Sequence, residues 1–184
     1  MTELVVLADS QGRPAGTAPK AEVHTADTPL HFAFSAYLTA ADGRLLMTRR
    51  ALGKKTWPGV WTNSFCGHPG PGESNEAAVR RRAFFELGID PADLGEVRPV
   101  LPDFQYRATD SSGIVEWEIC PVFLVTLAEG AEFTPNPEEI DSHDWIDVAE
   151  LFAAVDAAPF AFSPWLVAEL ADQRLREGLK ASRT

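Results

Sequence analysis

Between residues 58 and 72 the chain carries Pro58, Gly59, Gly67, Pro69, Gly70, Pro71 and Gly72, and no regular helix passes through such a stretch. Directly after it the spacing predicts a helix. Ser74 or Asn75 can cap the first turn, the pattern runs to Leu87, and Gly88 is suited to end it. Ala78, Arg82, Phe85 and Ile89 share one helical face, as do Val79, Arg82 and Glu86.

Strands are predicted on either side of this loop-and-helix unit. In FAFSAYLT, at 32–39, the two-residue period puts Phe32, Phe34, Ala36 and Leu38 on one face. Asp42-Gly43 then supplies a turn, and RLLMTRR reads as the partner strand of a hairpin. A short strand is expected around 60–65. Further on, IVEWEIC and VFLVTL read as strands divided by Pro121, which argues for an edge, a bulge or a departure from the sheet. The acidic EEIDSHDWIDVAELFAAV passes into a helix at Asp147 or Val148, and Ser163-Pro164 opens a final helix to about residue 180. Residues 8–31 read as a turn followed by an ordered arm, or as a disordered tail. With 184 residues and no long linker, the chain reads as one α+β domain over 1–184, residues 1–31 being partly an N-terminal arm.

Charge narrows the partners. Sixteen basic against 27 acidic residues leave a net charge of -11, which argues against nucleic acid and against an anionic membrane surface. Half the positive charge nevertheless lies in short clusters before residue 83: Lys20, Arg49, Arg50, Lys54, Lys55, Arg80, Arg81 and Arg82. A local basic pocket for a small anion fits that arrangement. No apolar run approaches the roughly 20 residues of a membrane span, no signal peptide is evident, and the only cysteines are Cys66 and Cys120. The default compartment is the cytoplasm. Oligomeric state is left open, with a monomer as the default.

Several residues can carry chemistry. His24, His31 and His68 are of a type that binds divalent metals together with carboxylates, or they are three unrelated surface histidines. Glu116 and Glu118 fall on one face of a predicted strand, pointing together into a site or to solvent, and Cys120 continues that face. Cys66, read as a loop residue before Gly67-His68, is an inert structural thiol, a nucleophile, a metal ligand or an acid-base group. Arg49, Arg50, Lys54 and Lys55 either cover a hairpin surface or join Arg82 in a diphosphate clamp, with Glu86 as an oxygen ligand for Mg²⁺.

Gly67, Glu73, Arg81, Glu86 and Gly88 resemble the skeleton of a Nudix box, with Arg82 and Phe85 standing where hydrolases of that family carry acidic residues. The departure counts against diphosphate hydrolysis while leaving the fold in place. A closer resemblance covers approximately residues 3–175. HTADTPLH at 24–31, TRRALGKKTWPGVWTNSFCGHP at 48–69, GESNEAAVRRR after it, YRATD at 106–110, GIVEWEICPVF at 113–123 and AFSPW at 161–165 together resemble the type I isopentenyl diphosphate isomerases of bacteria.

That resemblance implies a Nudix-like α+β fold, a mixed β-sheet flanked by helices as an α/β/α sandwich. It implies a small isoprenoid diphosphate substrate and reversible isomerisation to dimethylallyl diphosphate. Cys66 and Glu116 would flank the reacting carbons, with Tyr106 as partner of the carboxylate and Trp165 as an aromatic face nearby. His24, His31, His68, Glu116 and Glu118 would bind Mn²⁺ or Zn²⁺, with Fe²⁺ also admissible. Glu86 would hold Mg²⁺ beside the diphosphate, and Lys20, Arg50, Lys54 and Arg82 would contact the phosphates. Trp117 points to the other strand face and is expected to pack. Two other functions remain in view from the sequence: a Nudix-type hydrolase, and a non-catalytic module that binds metal and diphosphate.

Overall fold

The computed structural model describes residues 3–182. In chain order its first strands are β1 (Leu4–Ala8), β2 (Pro14–Pro19), β3 (His31–Phe32), β4 (Phe34–Thr39), β5 (Leu45–Arg50), β6 (Trp61–Thr62) and β7 (Phe65–Gly67). Then come β8 (Leu94–Leu101), β9 (Gln105–Thr109), β10 (Val115–Ile119), β11 (Val122–Leu127) and β12 (Ile140–Ile146). The helices are α1 (Lys20–Val23), α2 (Asn75–Leu87), α3 (Val148–Ala157), α4 (Pro164–Ala171) and α5 (Gln173–Ala181). A larger sheet runs β12-β5-β4-β11-β8, with β6 added to β5 and β7 to β4. A smaller sheet runs β2-β1-β3-β10-β9.

The larger sheet is apolar on both faces, so helices must cover both. Phe34, Ala36 and Leu38 of β4 pack with Ala78, Val79, Ala83 and Leu87 of α2. Tyr37, on the opposite face of β4, packs with Leu151, Phe152, Trp165, Leu166, Leu175 and Leu179 of α3 to α5. The expected α/β/α layering is therefore present. Ser74 caps α2 by accepting from the Ala77 N–H, and Gly88 ends it at φ 68°. A side chain at Gly88 would also strike the Thr134 carbonyl oxygen, 2.7 Å from an added Cβ. Phe85 departs from the expected buried face of α2 and is exposed, whereas Arg82 and Glu86 are buried.

The joint between the sheets is the feature that makes the site. β3 and β10 pair in parallel, Glu118 opposite His31, and β4 and β11 continue that pairing, Val122 opposite Ser35. Between them the two long strands break at Ala33 and at Cys120-Pro121, where the Ala33 N–H bonds to Ile119 O and the Ser35 N–H to Pro121 O. Pro121 has no N–H to donate, and the chain leaves one sheet for the other there.

Other sequence expectations are corrected. Of the two readings of residues 8–31 the turn and ordered arm hold and the tail does not: residues 4–19 form a β-hairpin, in which the Asp9 carboxylate accepts from the Gln11 and Arg13 N–H groups and closes the turn. β4 and β5 pair only at Thr39 and Leu45. Asn63 and Ser64 enter between them: Ser64 Oγ accepts from the Leu38 N–H and donates to Leu46 O, while Asn63 Nδ2 donates to Phe65 O. The single strand expected at 60–65 is thus two, β6 and β7, and Cys66 lies on a strand rather than in a loop. β8, β9 and β12 are strands that the sequence pattern does not predict. The last helix is broken at Asp172, which is extended and caps α5 through the Arg174 N–H.

Candidate active site

Four residues from separate elements meet at the smaller sheet. His24 follows α1, His31 opens β3, His68 follows β7, and Glu118 lies beside His31 on β10. Glu118 Oε1 is 3.1 Å from His68 Nε2, 3.3 Å from His31 Nε2 and 3.7 Å from His24 Nε2. One ligating atom from each of the four falls within 4.8 Å of every other. His31 Nδ1 is fixed by Pro29 O at 2.8 Å, which leaves Nε2 as the lone-pair nitrogen. His24 Nε2 and His31 Nε2 are buried with no hydrogen-bond partner. Three imidazoles and one carboxylate so disposed fit a divalent cation, the group that satisfies those nitrogens.

Electrostatics agree with that reading. Burial resists ionisation of Glu118, yet the three imidazoles outweigh it and hold its carboxyl well below the ordinary range. Burial, with a lesser push from the neighbouring His31, lowers His68 to about 4. Burial also opposes protonation of His31, but Glu118 outweighs it and the pKa is raised above 6.5. Below that raised pKa a cation competes with a proton for His31 Nε2. Metal affinity is expected to weaken as pH falls through a midpoint above 6.5, which is higher than the value near 6 expected of ordinary imidazoles. Calorimetric titration with Mn²⁺ or Zn²⁺ across that range checks the sign: equal affinity on both sides of it would contradict the arrangement.

Glu116, expected among the metal ligands, is not one of the converging four. Its Oε1 accepts from Thr56 Oγ1 at 2.5 Å and its Oε2 from Tyr106 Oη at 2.8 Å. The Tyr106 hydroxyl also lies 3.0 Å from Glu118 Oε2, so one phenol proton is shared by the two carboxylates. Burial, and then the charges of Glu116 and Glu118, raise the Tyr106 pKa well above 10 and keep it a donor. Thr56, a residue type with no signal of its own in the sequence, is presented by a strained turn: Trp57 adopts φ 41°, a left-handed backbone, immediately before Pro58.

Cys66 approaches from the larger sheet, paired with Ser35. Burial, with the Glu86 carboxylate next, pushes its thiol up to about 12, so it stands protonated. Trp165, in the first turn of α4, is buried and fixed by its indole N–H to Asn63 Oδ1 at 3.0 Å. The Arg50 guanidinium lies 5.3 Å from the Trp165 ring centre and the Tyr106 ring 5.8 Å from it. Trp117, expected to pack, is 40% exposed.

The cations form a second group. Arg82, buried on α2, donates from Nε and Nη2 to Glu86 Oε1 at 2.9 and 2.6 Å and lies 3.3 Å from Glu139 Oε1. Lys54 pairs with Glu139, and Lys20 donates to Glu3 at 3.1 Å. Arg50 donates to Thr56 O at 2.9 Å. Gly67 makes room for this: a Cβ there would lie 2.7 Å from Arg82 Cγ. Arg49 instead pairs with Asp141 at the surface. Glu73 and Arg81 bond to each other, to the Gly70 N–H and to His68 O, and so hold the loop that presents His68. Glu3 and Glu139 are participants the sequence did not single out.

Cys66, Glu116, Glu118, Tyr106, Trp165 and the cations Lys20, Arg50, Lys54 and Arg82 line one cavity of about 550 Å³, within the usual range for a small ligand, with His24 and His68 but not His31 at its wall. Ala33 and Cys120, the residues of the strand breaks, line it too.

The sequence profile of the NUDIX domain matches residues 29–166. The isopentenyl-diphosphate Delta-isomerase of Corynebacterium glutamicum is 60% identical over 177 residues, covering 96% of this chain and 94% of the relative. That of Escherichia coli O17:K52:H18 is 52% identical over 180 residues, covering 98% and 96%. Among solved structures, a Deinococcus radiodurans protein superposes with a TM-score of 0.65 at 19% identity, covering 99% of this chain and 100% of the other. A Nudix hydrolase from M. smegmatis gives 0.61 at 20% identity, covering 96% and 94%. Likeness at such identity speaks to the fold alone. No helix among the described residues is long and apolar enough to cross a membrane.

Proposed function

The chain belongs to the isopentenyl-diphosphate Delta-isomerase family, built on a NUDIX domain, and from that premise we propose how its pocket interconverts isopentenyl and dimethylallyl diphosphate. The reaction adds a proton to one alkene carbon and removes another two carbons away, through a tertiary carbocation-like state that must be kept from water. Cys66 serves one proton from the larger sheet. The carboxylates Glu116 and Glu118, bridged by Tyr106, serve the other from the smaller sheet. Their jobs exchange in the reverse direction. What carries this reading is a thiol and a carboxylate pair standing on two different sheets of one cavity.

Each remaining residue has a part. Lys20, Arg50, Lys54 and Arg82 bind the diphosphate, which anchors an apolar tail with little else to grip. Trp165 turns a ring face to the reacting carbons, a contact worth about 0.5–2 kcal/mol to a developing cation. His24, His31, His68 and Glu118 hold Mn²⁺ or Zn²⁺, which when bound supplies positive charge beside the carboxylate pair. Glu86, whose Oε1 accepts from Arg82, would offer its other oxygen to Mg²⁺, which when bound would supply positive charge beside the diphosphate. The protein acts as a single catalytic domain, as a monomer and in the cytoplasm; sedimentation checks the second of these.

Incubation with isopentenyl diphosphate in deuterated water tests the reading directly. Dimethylallyl diphosphate carrying deuterium, followed by NMR, is the expected product. Release of phosphate in its place would return the hydrolase, and binding without turnover the non-catalytic module. The clamp has its own test in Arg82→Lys, which keeps the charge and loses the planar fork. Losing one charge-assisted hydrogen bond should lower kcat/KM by about 10- to 100-fold. An unchanged kcat/KM would remove Arg82 from the clamp.

A further inference from the structure

Glu169 is fully buried in α4, one helical turn beyond Trp165, and has no part in the chemistry above. Its Oε2 accepts from Tyr37 Oη at 2.6 Å and from Ser35 Oγ at 3.1 Å, both on β4. Its Oε1 is buried with no hydrogen-bond partner. An interior carboxyl with one oxygen bonded twice and the other not at all is a poor way to fasten a helix to a sheet, where apolar side chains would do. Its position is informative. Ser35 is the cross-strand neighbour of Cys66 and lines the cavity, beside the break where the two sheets part.

α4 is held at two levels. Its start is fastened to β6, since Ser163 Oγ meets Thr62 Oγ1 at 2.8 Å and the Ser163 N–H bonds to Trp61 O at 2.9 Å. Its second turn is tied by polar contact to β4, through Glu169. The two ties bear on how the helix lies on the sheet and, together with the indole bond to Asn63 and the packing of Leu166 and Leu170, on the depth at which Trp165 enters the cavity. We propose that Glu169 is a positioning residue of the isomerase: by holding Tyr37 and Ser35 it sets the Trp165 wall and the Ser35 hydroxyl relative to Cys66. Burial pushes the Glu169 carboxyl up to about 8, so near neutral pH it is held uncharged and its amide is a close mimic.

The inference rests on the isomerase reading, so wild-type turnover of isopentenyl diphosphate is the control that separates the two. If the wild type does not isomerise, the reading of function fails; if it does, the variants decide. Glu169→Gln keeps an oxygen for both hydroxyls and should retain kcat and KM within about twofold. Glu169→Leu removes the acceptor and should lower kcat about tenfold with KM within twofold, because the diphosphate clamp stands on other elements. Wild-type kcat in a folded Glu169→Leu would overturn the proposal. So would a Gln variant as impaired as the Leu variant, since the proton rather than the position would then matter. Should the Leu variant not fold, Tyr37→Phe removes one of the two ties; a kcat reduced about threefold at constant KM supports the proposal, and an unchanged kcat overturns it.

Discussion

Cys66→Ala is expected to keep its fold and to lose nearly all isomerisation. The residue is partly buried at the cavity wall, so the deleted sulfur removes little packing, and a melting temperature within a few degrees of wild type is anticipated. Acid-base assistance of the kind assigned to it contributes about 10²–10⁴-fold, and the rate should fall by that order. Cys66→Ser is the finer probe. A hydroxyl can still donate a hydrogen bond, but its anion is far less accessible than a thiolate, so deuterium incorporation and product formation should fall together while diphosphate affinity is comparatively preserved. A folded Cys66→Ala protein that isomerises at the wild-type rate would sink the mechanism.

The second large effect separates the two glutamates. Glu118→Gln replaces the carboxylate that all three histidines face, so metal content and turnover should be lost together. Glu116→Gln should lose turnover by a comparable factor yet keep its metal, because its oxygens meet Thr56 and Tyr106 and not the imidazoles. Metal analysis of both purified variants alongside their rates makes the comparison. Loss of metal from Glu116→Gln would restore Glu116 to the ligand set and undo the division drawn between them. Retention of full activity by Glu116→Gln would leave Glu118 as the carboxylate facing the thiol.

The parts of this molecule that the sequence announces are those whose residue types have few other uses. A capped helix between Ser74 and Gly88, a proline dividing two apolar strands, and three histidines among turn formers each restrict the backbone or the chemistry locally. β12 gave no such signal, because its run IDSHDW is polar and lies mostly at an edge where hydrophobic alternation is not required. The parting of β4 and β5 depends on Ser64 bonding to Leu38 and Leu46 and on Asn63 reaching Ala36 O, all far off in the chain, and neither residue marks that use. Glu3 and Glu139 were hidden for a related reason. Acidic side chains are common on this chain, and only the fold distinguishes the two that meet Lys20, Lys54 and Arg82.

The break at Ala33 and Cys120-Pro121 also acts as a ruler. Arg50 and Cys66 are carried by the larger sheet, and Arg82 by the helix packed on it, whereas Tyr106, Glu116 and Glu118 are carried by the smaller. With Arg50 and Arg82 in the proposed clamp, the span from the diphosphate to the carboxylates would depend on how far the sheets open at the joint, only Lys20 reaching the clamp from the hairpin of the smaller sheet. A substrate is measured from its charged end, and a homologue one methylene longer between diphosphate and alkene would carry its double bond past the thiol–carboxylate gap while still filling the clamp. On that reading, selectivity for chain length is expected to depend on two short backbone interruptions rather than on the residues of the proposed clamp.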